Sequence, residues 1–132
     1  TTNDGKYVLI EQFRHGPRKK ILNFPMGFIK NGESAIKAAQ RELKEEINID
    51  YSKLKLLGNF LFAPTFTTMQ GHIFIANKIG ESKNIKKGTD PDDEVVDIVT
   101  LSKKEMDVLI KKRTQTDFAT ACAYLLQKNS RH

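Results

Sequence analysis

Short apolar runs alternate along the chain with polar stretches that carry glycine and proline, so strands and helices are expected to follow one another. Tyr7-Val8-Leu9-Ile10-Glu11-Gln12-Phe13-Arg14 is rich in β-formers and runs into the turn residues His15-Gly16-Pro17, which predicts a first strand. Ile21-Leu22-Asn23-Phe24, closed by Pro25 and Gly27, predicts a second. Leu54 to Phe62 and Gly71 to Lys78 predict two more, separated by Ala63-Pro64-Thr65-Phe66-Thr67-Thr68. Gly80 to Asp93 is polar and reads as an exposed loop before a fifth strand, Val95 to Leu101.

Three segments carry helical spacing. Asn31-Gly32 leads into a helix from about Ser34 to Ile47, with Ile36, Ala39, Leu43 and Ile47 sharing an arc roughly 80° wide. Ser102 and Glu105 have the spacing of a capping box, in which hydroxyl and carboxylate satisfy the free amides of a helix start, so a helix runs to about Lys111. Thr116 or Asp117 caps a last helix ending near Lys128. Strands mixed with helices over 132 residues, without a repeat or low-complexity tract, predict one α/β domain spanning residues 1–132, with helices packed on a sheet.

Composition narrows the class. No apolar run approaches the roughly 18–20 residues of a membrane span, so the membrane is not an expected partner. The polar opening Thr-Thr-Asn-Asp-Gly-Lys lacks the apolar stretch of a secretory signal. Cys122 is the only cysteine, so no intrachain disulfide forms, and the expected compartment is a reducing cytoplasm. Set among Ala121, Ala123, Tyr124 and Leu125, its thiol is expected to be buried and inert. The net charge of +6 comes from scattered pairs such as Lys19-Lys20 and Lys86-Lys87, with no basic stripe interleaved with aromatics. That pattern does not favour nucleic acid as a partner, but its positive potential suits an anionic phosphate substrate.

The chemistry concentrates in the first helix. Glu42, Glu45 and Glu46 fall within an arc of about 100°, beside the apolar stripe. Like charges three or four residues apart destabilise a helix by tenths of a kcal/mol, and a bound cation reverses the sign of that effect. Clustered carboxylate oxygens suit Mg²⁺, which is held jointly by protein carboxylates and substrate phosphates. Ala35 and Ala38 share the acidic face, where small side chains leave room for metal and phosphate. A Glu-rich helix by itself is more often a solvated face.

The wider stretch from Gly27 to Ile49 resembles the Nudix box: Gly, five residues, Glu, seven residues, Arg-Glu, an aliphatic, any residue, Glu-Glu, any residue, Gly, an aliphatic. Gly27, Glu33, Arg41, Glu42, Leu43, Glu45, Glu46 and Ile49 fill eight of its nine specified positions. A chance match of this kind is on the order of one in a million. Asn48 stands where the family has Gly; Asn is the next most tolerant residue for a left-handed helix end, so the change is expected to cost about 1 kcal/mol or less. The resemblance implies a Nudix-type α/β/α sandwich with a mixed β-sheet between helices. It implies Mg²⁺, with Mn²⁺ as the alternative ion, held by Glu42, Glu45, Glu46 and the Gly27 carbonyl, with Arg41 and Glu33 as the supporting pair. The implied reaction is metal-assisted attack of water on phosphorus, a carboxylate accepting the proton.

Outside the box the chain is similar to the ADP-ribose pyrophosphatase branch in Glu11-Gln12-Phe13-Arg14, in Leu22-Asn23-Phe24-Pro25-Met26-Gly27, in Pro64 and in Thr116 to Ala121. It departs from that branch at Asn23, where a Glu is usual, at Thr65, where a Gly is usual, and at Met69, in place of an acidic residue. The expected substrate is ADP-ribose or another nucleoside diphosphate sugar. Arg14 is a candidate phosphate or ribose contact, Phe66 a candidate stacking surface for a base, and Glu94 a candidate extra acid. Plainer readings are a surface arginine, a packed loop aromatic and a solvated acidic turn. His72, in an apolar strand, is expected to make a structural hydrogen bond. The alternatives are a house-cleaning nucleoside triphosphatase, an RNA 5′-end pyrophosphohydrolase, or a non-catalytic module that binds a nucleotide or RNA. The assembly is expected to be a monomer or a homodimer.

Overall fold

The computed structural model describes residues 1–89, 95–112 and 115–130. Strand β1 (Tyr7–Arg14) is central, pairing antiparallel with β2 (Lys19–Asn23) on one edge and with β5 (Val95–Leu101) on the other. Its alternating side chains therefore meet a different layer on each face. Tyr7 and Leu9 pack with Met106, Leu109 and Tyr124 from α2 (Lys103–Lys111) and α3 (Phe118–Asn129). Val8 and Ile10 pack with Ile47 of α1 (Ala35–Ile47), and with Ile85 and Val95. Sheet β2-β1-β5 is thus covered by helices on both faces, as the α/β/α expectation requires.

The hairpin β3 (Lys55–Leu61) and β4 (Gln70–Ile75) forms a second antiparallel sheet. The register shifts between Leu56 and Gly58. Among the described residues the hairpin shares no ladder with the three-stranded sheet, and every ladder is antiparallel where the resemblance implied a mixed sheet. An apolar cleft of about 570 Å³ separates the hairpin from α1 and α3, lined among others by Leu43, Leu57, Phe60, Ile73 and Phe118. Gly27 and Glu42 stand in the wall of this cleft.

The helix ends follow the sequence signals. Ser102 accepts the Glu105 amide and Glu105 accepts the Ser102 amide, completing the capping box of α2. Asp117 takes the cap of α3, its Oδ1 accepting the Thr120 amide at 2.7 Å. Asn48 ends α1 in the left-handed region at φ 55°, the conformation expected where the family has Gly. Its amide and that of Ile49 bond back to the Lys44 and Leu43 carbonyls. Among the described residues no helix is long and apolar enough to cross a membrane.

Three expectations are corrected. Ile36, assigned to the packing stripe of α1, is 39% exposed because only the later turns of the helix reach the sheet. Ala38, placed beside the acids as open space, is buried instead and lines the cleft. Cys122 is half-buried rather than enclosed, since its face of α3 borders the same cleft. Met106, by contrast, is fully buried between β1 and α3. Met106→Ala is expected to lower stability by about 2–5 kcal/mol through the cavity it leaves, a loss read from the midpoint of urea unfolding.

Candidate active site

The strand β2 ends in Asn23, and Phe24-Pro25-Met26-Gly27 carries the chain across the carboxylate-bearing part of α1. Two contacts fix this crossing. The Phe24 amide donates to Thr120 Oγ1 at 3.0 Å, tying the segment to α3. The Met26 amide donates to Glu46 Oε2 at 3.0 Å, tying it to α1. Glu46, expected on the open acidic face, is only 4% exposed, because that face is covered by the crossing segment.

Gly27 lies against Glu42. A Cβ at this position would overlap the Glu42 carboxylate, so the sequence requires a residue without a side chain here. Burial is the main influence on Glu42 and raises its pKa, opposed by the hydrogen bond and charge of Arg41.

Arg41 is the electrostatic centre of the site. Its Nε and Nη2 form a bidentate pair with Glu33, at 3.0 and 3.1 Å, and Nη2 also donates to the Phe28 carbonyl at 2.9 Å. Nη1 donates to Glu42 Oε1 at 2.5 Å and to Glu45 Oε2 at 2.8 Å. Glu33 accepts the Lys30 amide as well, so the loop before α1 is clamped to the helix through one guanidinium. The hydrogen bond from Arg41 holds Glu33 below the usual carboxylate range, and the reciprocal bond raises Arg41 further above its ordinary value.

The three carboxylates thus share a region but not a single point: Arg41 spans Glu42 and Glu45, while Glu46 turns toward Met26. Among the described residues no three acidic, His or Cys side chains are gathered closely enough to enclose an ion. The guanidinium relieves the repulsion for which the sequence demanded a cation. The donor chemistry still suits a hard divalent ion, because every candidate ligand is an oxygen and Glu42 lies directly against Gly27.

The remaining candidates separate. Arg14, half-buried at the end of β1, donates to Gln12 Oε1 at 2.7 Å. Phe66 is 90% exposed in the loop after β3, so it is not packed, and it lies outside the cleft lining. His72 Nδ1 bonds Asn59 Oδ1 at 2.8 Å across the hairpin, the structural hydrogen bond expected of it. Glu94 lies outside the described residues. Sequence reasoning passed over Gly88, whose amide donates to the Glu46 carbonyl at 2.9 Å. A Cβ there would overlap the Glu45 carbonyl, and the contact joins positions too far apart in sequence to leave a local signal.

A sheet covered on both faces, with a loop locked by Arg41 and Glu33 onto a carboxylate-bearing helix, defines the class: the chain belongs to the Nudix family, whose domain matches residues 1–122. Nudix hydrolases are generally dependent on divalent metal ions. Among its relatives, the methanol dehydrogenase activator of Bacillus methanolicus is 33% identical over 99% of this chain and 71% of its own length. The ADP-ribose pyrophosphatase of Bacillus subtilis (strain 168) is 30% identical over 92% of this chain and 65% of its own. A solved structure of an ADP compounds hydrolase superposes with a TM-score of 0.78 at 24% identity, over 95% of this chain and 65% of that one, a likeness of fold. The chain thus spans about two thirds of the length of these proteins.

Proposed function

We propose that the chain hydrolyses a phosphoanhydride bond in a nucleoside-diphosphate-linked substrate, ADP-ribose or another nucleoside diphosphate sugar, with Mg²⁺ as the cofactor. The observation that carries this reading is the packing of the Glu42 carboxylate against the Gly27 backbone, with Arg41 and Glu33 clamping loop to helix. Glu42, Glu45, Glu46 and the Gly27 carbonyl would hold the ion. When bound, it would neutralise phosphate charge and acidify a water molecule.

The chain's own groups supply the rest. The Arg41–Glu33 clamp fixes the loop, so that Gly27 and the α1 carboxylates keep their relative positions. A carboxylate oxygen of this set takes up the proton of the attacking water. Arg14, at the end of β1, binds a substrate phosphate through the planar donor fork of its guanidinium. The cleft beside Gly27 and Glu42 is within the size range of small-molecule sites, and its apolar lining suits a nucleobase. The 30% identity to a protein named ADP-ribose pyrophosphatase supports this choice of substrate over a nucleoside triphosphate or a 5′-triphosphorylated RNA.

The test is a product assay with Mg²⁺ over ADP-ribose, other nucleoside diphosphate sugars, nucleoside triphosphates and 5′-triphosphorylated RNA. The expected result is a nucleoside monophosphate and a sugar phosphate from the first two groups, abolished by chelator and restored by Mg²⁺. Pyrophosphate released from triphosphates alone would reassign the substrate, and turnover of none would overturn the hydrolytic reading.

A further inference from the structure

Among the described residues, one buried polar atom in the sheet has no partner: Asn23 Oδ1, on a residue with 0% exposure. Buried acceptors without donors are uncommon and disfavoured, so the arrangement that leaves this one unsatisfied calls for a cause. It lies two hydrogen bonds away. Arg14 Nη2 donates to Gln12 Oε1 at 2.7 Å, and Asn23 Nδ2 donates to the same oxygen at 2.9 Å. Gln12 is itself only 3% exposed.

The polarity of this chain of groups runs one way. A guanidinium has donors only, so Gln12 must turn its oxygen toward Arg14. Asn23, facing that oxygen, must present its NH₂. Its own carbonyl oxygen is then left among groups that donate nothing. Reversing Asn23 alone would set oxygen against oxygen, and reversing both amides would set the Gln12 NH₂ against the guanidinium. The Phe24 carbonyl, 3.5 Å from the same NH₂, favours this orientation too, but the shorter bond to Gln12 ties the unsatisfied atom to the holding of Arg14.

The direction in which Arg14 is held follows from strand alternation. Val8 and Ile10 point to α1, and Gln12 and Arg14 continue the same face of β1. Asn23 pairs with Ile10 across the ladder and stands three residues before Met26, whose amide Glu46 accepts.

We infer that Gln12 and Asn23 are positioning residues, a buried two-amide relay that orients the Arg14 guanidinium on the α1 face of the sheet to receive an anionic phosphate group of the substrate. The inference rests on the hydrolytic reading for its substrate, but the relay itself is separately measurable. Asn23→Asp removes the NH₂ that Gln12 accepts, at nearly constant shape. Gln12→Met removes the acceptor that both neighbours share. Gln12→Glu keeps an acceptor oxygen at the same place.

The experiment combines steady-state kinetics on ADP-ribose with NMR of the Arg14 side-chain Nε–Hε signal, assigned by its loss in Arg14→Lys. Asn23→Asp and Gln12→Met are expected to move that signal in the absence of substrate and to raise KM by about 10-fold or more with little change in kcat, as loss of a binding group does. Gln12→Glu is expected to leave the signal near its original position. A signal unmoved in both loss variants, or an unchanged KM beside normal wild-type turnover, overturns the relay. Where those variants do not fold, Arg14→Lys decides, because the side-chain amide signals of Gln12 and Asn23 must shift if the three groups are coupled, and unshifted signals overturn the relay. Should the wild type cleave no diphosphate compound, the hydrolytic reading falls, and the resonances alone decide the relay.

Discussion

Glu46→Gln is expected to leave a folded protein with kcat reduced by at least about 10–100-fold, since even the loss of a partner to a metal ligand costs that much. The substitution isolates charge from structure. Glu46 is buried and its Oε2 accepts the Met26 amide, and the glutamine side-chain oxygen accepts the same bond. What disappears is the negative charge proposed to help hold the cation. Thermal unfolding of the variant should match the wild type while kcat falls and more Mg²⁺ is needed for half-maximal rate. Unaltered kcat and Mg²⁺ dependence would show that the Glu46 charge takes no part in holding the cation.

Gly27→Ala acts through sterics at the other side of the same contact. The added methyl meets the Glu42 carboxylate, which is held in turn by Arg41 Nη1. Either the loop or the carboxylate has to move, and overpacking of this kind costs about 1–3 kcal/mol. A displacement near 1 Å at reacting groups can cost about 10²-fold in rate, so activity is expected to fall much further than stability. Paired measurements of kcat/KM and urea unfolding check this, and a variant of wild-type activity would remove the Gly27–Glu42 contact from the site.

The order and type of the elements are legible in the amino-acid sequence. Short apolar runs between turn residues locate the five strands found among the described residues, and the capping box at Ser102 and Glu105 locates α2. The Asn48 helix end is legible too, because few residues tolerate positive φ. The spacing of Glu33, Arg41, Glu42, Glu45 and Glu46 is readable as a pattern, and Arg41 and Glu33 do meet in space. Ile36 is misplaced by its periodicity, which says which residues share a stripe but not how far along the helix the covering layer extends. Phe66 offers only an aromatic in a loop, and nothing local indicates whether such a ring packs.

Backbone preferences and spacings that act over a few residues were enough to set the elements, their caps and the identity of the carboxylate set. Long-range packing was needed to decide that Arg41 bridges Glu42 and Glu45, that Glu46 is turned inward to Met26, and that Gln12 and Asn23 close on Arg14. It also placed Gly88 on the last turn of α1. For Glu46, Asn23 and Gly88 the partner comes from a distant segment or another element. For Arg41 the choice among three neighbouring acids depends on which of them the crossing segment buries, and no local rule carries that information.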